Sequence, residues 1–298
     1  MVWCEVACVA YMVTFLAFVV FKHRSFEKRG LLNWSSVSWD RIACARGGRG
    51  PLILAVGRLI IGAYVVCTLS QMLTGPIVKR GRIAVGGISV LSTFTVWCYS
   101  LLGLYFLAAG LVSAVACFGM KGESASSHFL TCALWVWFES MLACAILVTV
   151  VVWVVLLPSI YVATGTDGGL LSYLPISAHN LNSVFMLAEG LLNQLDVEPA
   201  HIVFVLYYGT LYILFSWVWF LRTGVFWYFF IDWRSPWTIG GYTLLIGAIY
   251  AFFVASRRLL DRAKKLKAAD RRVCPGGDML RDDPNERIEH SQPSVVET

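Results

Sequence analysis

Charge is scarce in this chain. Asp, Glu, Lys and Arg together make up 14% of its 298 residues, where a soluble globular domain carries about a quarter. So low a share excludes a predominantly water-facing fold. The nine cysteines (Cys4, Cys8, Cys44, Cys67, Cys98, Cys117, Cys132, Cys144 and Cys274) form no CxxC pair and mostly sit inside apolar runs. That pattern indicates neither a disulfide framework nor a zinc knuckle, so no metal is expected. There is no internal repeat, no glycine loop built to cradle phosphate and no basic–aromatic surface. Nucleotide-dependent chemistry and nucleic-acid binding are therefore not expected, and no cofactor is implied.

What is abundant is apolar sequence: 58% of residues are hydrophobic and the mean hydropathy is +0.70. About 20 apolar residues cross a bilayer as a helix. Runs at 2–21, 51–73, 88–118, 128–157, 179–195, 201–221 and 238–256 give seven candidates. The expected fold is an all-α, multi-pass transmembrane helix bundle over residues 1–260, with about six core spans plus the N-terminal apolar segment. Lys22, His23, Arg24, Lys28 and Arg29 follow the first run rather than precede it, which reads as a retained signal anchor. Residues 261–298, rich in Pro, Asp, Glu, Arg and Ser, read as a disordered tail. Basic residues collect on one side of a seven-span arrangement, above all between Arg257 and Arg272. This places the C-terminus in the cytoplasm, in the endoplasmic reticulum or plasma membrane; only Lys79, Arg80 and Arg82 argue the other way. The basic start of the tail also suits contact with anionic lipid.

An ionisable group inside a bilayer is expensive, so each needs a reason. On the fifth run His179, Asn182, Glu189 and Asn193 share one broad helical face, and on the third Ser92, Thr95 and Tyr99 do the same. Both runs begin after loops on the non-cytoplasmic side, which puts Thr95 and His179 in the same half of the membrane. A hydroxyl within reach of an imidazole is the minimum for acyl transfer, and Asn180 or Asn182 is a candidate oxyanion donor. The competing reading of Thr95 is a hydroxyl bonded to its own helix. Glu189 is a candidate to orient His179, to bond Asn193 or a neighbouring span, or, with Glu139, to conduct protons or cations. Glu139 stands alone on its span. The tryptophans and tyrosines of 217–237 read as membrane-interface markers.

Three stretches carry a family likeness: Thr95-Val-Trp-Cys-Tyr-Ser-Leu-Leu-Gly-Leu-Tyr-Phe106, His179-Asn-Leu-Asn-Ser-Val-Phe-Met-Leu-Ala-Glu189, and Tyr212-Ile-Leu-Phe-Ser-Trp-Val-Trp219 leading to Thr223-Gly-Val-Phe-Trp-Tyr228. In order and spacing, over about 50–255, the chain resembles the androgen-induced protein family, which includes the androgen-dependent TFPI-regulating protein and, more loosely, the Rolling stone proteins. That resemblance implies a membrane bundle hydrolysing lipid esters, notably fatty acid esters of hydroxy fatty acids, with Thr95 as nucleophile and His179 as base. The chain departs from the family in its N-terminal apolar segment, its charged tail and Val96, where the Rolling stone branch commonly has Asn. The branch and the substrate stay open.

The leading expectation is a threonine-dependent lipid ester hydrolase whose partners are membrane lipids and a fatty ester. The alternatives are a non-enzymatic Rolling stone-like protein of cell fusion or signalling, and a transporter using Glu139 and Glu189. Nothing in the sequence specifies an oligomeric state.

Overall fold

A computed structural model describes residues 2–46, 50–75, 78–80, 83–120 and 124–273. It is a helix bundle. In chain order the helices are α1 (Val2–Lys28), α2 (Trp39–Ala43), α3 (Pro51–Thr74), α4 (Phe94–Cys117), α5 (Ala125–Val151), α6 (Leu157–Thr164), α7 (Tyr173–Ile176), α8 (Asn182–Leu192), α9 (Ile202–Thr223) and α10 (Thr238–Val273). Six helical stretches are long and apolar enough to cross a membrane: Trp3–Lys28, Pro51–Thr74, Phe94–Cys117, Ser126–Thr164, Pro199–Thr223 and Thr238–Lys265. The protein is thus a multi-pass membrane bundle.

Local chemistry sets several of the ends. Pro51 starts α3 at a position where its missing N–H costs nothing. The Thr93 hydroxyl caps α4 by accepting from the Val96 N–H at 3.3 Å. Gly165 and Gly224 close α6 and α9 with positive φ, a conformation that a Cβ would penalise.

Burial ranks the helices. In their most apolar windows half of the α5 residues are buried, against 17% for α1 and 22% for α10. Helix α5 is therefore the axis of the bundle, while α1 and α10 present side chains such as Val13, Phe18, Leu244 and Tyr250 outward, where lipid replaces water. Small residues let α3 and α4 approach: a Cβ on Gly62 would meet the Leu107 side chain at 2.6 Å, and one on Gly103 would meet Val65 at 2.5 Å.

Two expectations change. The run at 179–195 is not a single long span. It belongs to a broken segment made of α7, a π-helical turn at Ser177–Leu181 and α8, which stops where Asn193 turns extended. Its short reach follows from its neighbours: glycines 165, 168 and 169 with positive φ precede it, and the Asn193 side chain, bonded to the Leu195 N–H at 3.0 Å, ends it. The run at 88–118 begins with a 3₁₀ turn, Gly87–Ser92, so Ser92 precedes α4 rather than sharing its face with Thr95. The loop before it holds a two-stranded antiparallel ladder, Val78–Arg80 with Ile83–Val85, in which Lys79 faces Ala84.

Residues Met1–Leu260 form one compact unit and Asp261–Thr298 a second. In the second, residues 261–273 are helical. The disorder expected for the rest of the tail, together with Cys274, Lys121 and Arg82, falls outside the described residues.

Candidate functional site

Two ion pairs account for most of the buried charge. Arg58, inside the apolar run that begins at Pro51, donates from Nε to both Glu189 oxygens (3.1 and 3.2 Å) and from Nη2 to Oε1 at 2.5 Å. Its Nη1 donates to the carbonyls of Ile42 and Ala109 and to the Ser113 hydroxyl. Glu189 also accepts from the Tyr105 hydroxyl at 2.8 Å and from Asn193 Nδ2 at 3.1 Å. Glu189 thus faces Arg58, not His179, because an opposite charge is the strongest partner available to a carboxylate in this medium. A lone arginine in an apolar run was the signal for this pair.

Glu139 is not alone either. Its Oε1 accepts from the Glu198 N–H at 2.5 Å, and its Oε2 lies 2.6 Å from His201 Nδ1, while His201 Nε2 is 2.9 Å from the Leu32 carbonyl. The pair ties the 29–46 connection to the start of α9, and both side chains are fully buried.

The other polar region is built differently. Helix α5 passes into α6 through a π turn, Val152–Leu156, and this turn is linked to the π turn at Ser177–Leu181. Trp153 Nε1 donates to Asn180 Oδ1 at 2.8 Å. The Thr149 hydroxyl donates to the His179 carbonyl and stands 2.7 Å from the Ser183 hydroxyl. Single π turns inside helices recur at functional sites, since each carries a residue that regular geometry would not accommodate. Among the described residues, His179 Nδ1 and Asn182 Nδ2 are buried here with no hydrogen-bond partner. Buried polar atoms are otherwise almost always paired, so two such atoms on one segment call for an explanation.

Beside the π turn of α5 lies a cavity of about 70 Å³, partly open to the outside. Its walls come from Phe15 of α1, Phe94 and Thr95 of α4, 147–156, Leu206–Ile213 of α9, the 228–231 loop and Leu245–Ile249 of α10. Among the described residues no charged side chain lines it. Thr95 does, and it is buried. Thr68, Thr131 and Thr210 each donate to a carbonyl one turn back. For Thr95 that carbonyl is Leu91 O, which accepts from Trp97 Nε1 at 2.7 Å and, among the described residues, not from Thr95. Thr95 instead lies against the Tyr228 phenol, which also faces the first backbone N–H groups of α4, at Phe94 and Thr95. Burial pushes the Tyr228 phenol up, so it stays protonated.

Tyr228 reaches Thr95 because Trp227 Nε1 donates to the Ser92 hydroxyl at 2.6 Å and the Tyr212 hydroxyl donates to the Ser92 carbonyl at 3.0 Å. Ser92 therefore serves the loop after α9. Tyr99 bonds Thr68 at 2.8 Å. Read as an interface marker, Tyr228 gave no spacing signal that it would meet α4.

Helices α4 and α5 run antiparallel, with Tyr105 near Phe138 and Cys98 against Cys144. Val148 lines the cavity with Thr95, and its neighbour Thr149 holds the His179 carbonyl. Helix α5 thereby sets Thr95 and His179 at one depth on adjacent sides of itself. No hydrogen bond joins their side chains among the described residues, and His179 stands outside the ring of cavity-lining residues. Asn182 Oδ1 is engaged by its own segment, at 2.6 Å from the Ser183 N–H, which leaves its amide hydrogens as the free function. No group of three or more potential metal ligands occurs among the described residues. Compared with known protein families, characterised proteins and solved structures, the chain matches none.

Proposed function

We propose that this protein hydrolyses a lipid ester within the membrane, with Thr95 as nucleophile and His179 as base. One observation carries the reading: a threonine hydroxyl that bonds no helix carbonyl among the described residues lines an apolar cavity, at the depth where an imidazole nitrogen and an amide are buried without partners among those residues. Thr95 Oγ1 attacks the ester carbonyl while its proton passes to His179. The Asn182 amide is one donor for the oxyanion. Collapse of the tetrahedral species expels the alcohol, which takes the proton from His179. Water then attacks the acyl-threonine, again losing a proton to His179, and releases the fatty acid with Thr95 restored. The step requires Thr95 and His179 to come within hydrogen-bond reach once substrate is bound, as catalytic groups commonly do.

Transport through Glu139 and Glu189 is disfavoured because both carboxylates are enclosed in complete ion pairs remote from the cavity. The test is ester turnover by purified protein in liposomes. His179→Ala and Thr95→Ala should each lower kcat by about 10²–10⁴-fold while leaving the melting temperature within a few degrees. Turnover equal to that of the parent in both variants would overturn the reading.

A further inference from the structure

Four hydroxyls reach the cavity wall, and two are spoken for. Thr210 donates to the Leu206 carbonyl at 2.8 Å and Tyr212 to the Ser92 carbonyl at 3.0 Å. That leaves Thr95 and Tyr228, side by side at one end of an otherwise apolar space. The wall can therefore satisfy one small polar group and no more. Among the described residues no lysine, arginine or histidine lines the cavity to balance an anion. A carboxylate or phosphate placed there would lose its hydration without compensation.

We infer that the cavity takes an uncharged lipid monoester, with its acyl chain between α1, α5, α9 and α10 and its carbonyl oxygen on the Tyr228 hydroxyl beside Thr95. The location of the carbonyl rests on the hydrolase reading, whereas the choice of a neutral occupant does not. Tyr228 suits this task because its phenol lines the apolar wall together with Thr95. A phenol donates as well as accepts, so its hydrogen is able to serve an acceptor on the ligand. Tyr228 is then a ligand-positioning donor contributed by the loop after α9. An ester that also bears a free carboxylate must keep that group out of the cavity, at the membrane surface.

The experiment uses the full chain in nanodiscs, carrying Thr95→Ala so that nothing is turned over. Three probes with a diazirine in the acyl chain are compared: a long-chain wax ester, the same ester ending in a carboxylate on its alcohol arm, and the matching alkane. The wax ester should label peptides containing 147–156 and 245–249, with at least about tenfold more label than the carboxylate probe at pH 8. Adding Tyr228→Phe should reduce ester labelling several-fold and leave alkane labelling unchanged, a separation that mere collapse of the site would not produce. Equal labelling by the ester and the carboxylate probe would overturn the inference. So would a Tyr228→Phe variant that loses ester and alkane alike. Full turnover by the Thr95→Ala chain removes the hydrolase reading alone, because occupancy is read without turnover.

Discussion

The two ends of the segment that runs from Tyr173 to Leu192 obey opposite rules. At its C-terminal end Glu189 is satisfied by Arg58, Tyr105 and Asn193, and Arg58 in turn has carbonyl and hydroxyl partners for its remaining Nη1 hydrogens. At the other end His179 and Asn182 each hold a buried atom with nothing to bond. A saturated cluster has no capacity left for a ligand, and its value is to lock α3, α4 and α8 together. An unsaturated one costs stability in the resting protein, and it is retained where something else is to be bound.

The contrast can be broken most severely at Arg58. Arg58→Met leaves the Glu189 carboxylate buried without its countercharge and should cost about 3–5 kcal/mol, lowering the melting temperature in detergent by many degrees. The double variant Arg58→Met/Glu189→Leu should recover most of that loss; failure to recover would mean that the pair does more than hold helices together. Next in size is the close approach of α3 and α4. Gly103→Ala drives a Cβ into Val65 and should destabilise by about 1–3 kcal/mol, while Gly57→Ala, where nothing lies within 4 Å of the new Cβ, should be neutral or slightly stabilising.

At the unsaturated end the sign should change. His179→Leu removes a buried nitrogen that has no partner and should alter stability by less than about 1 kcal/mol in either direction, yet abolish ester turnover. A large loss of stability would place His179 with Glu189 as structure. The smallest effect belongs to the link between the π turns: Trp153→Phe removes the bond to Asn180 and should cost about 0.5–1.5 kcal/mol, with turnover falling more than stability.

Much of the architecture was legible in the residue order, because whether a stretch can live in lipid depends on its own side chains. The runs beginning at residues 51 and 238 became helices starting at Pro51 and Thr238. The segment at 179–195 was the exception. Its apolar run is long enough on paper, but the glycines before it and the Asn193 turn after it confine regular helix to α8. For the site, spacing grouped His179, Asn182 and Glu189 on one face, which says what they share and not what each meets. Arg58 was hidden among apolar neighbours, and Tyr228 looked like one more aromatic at a membrane edge.

By itself, then, the amino-acid order determined that this chain is a membrane bundle, roughly where its helices run and that Thr95 and His179 stand out in them. Only the tertiary structure decided that Glu189 belongs to Arg58, that Glu139 belongs to His201 and that Tyr228 comes to Thr95. The reason is physical: partition into lipid is a sum over neighbours in sequence, whereas a hydrogen bond depends on which faces of separate helices meet, and packing alone sets that.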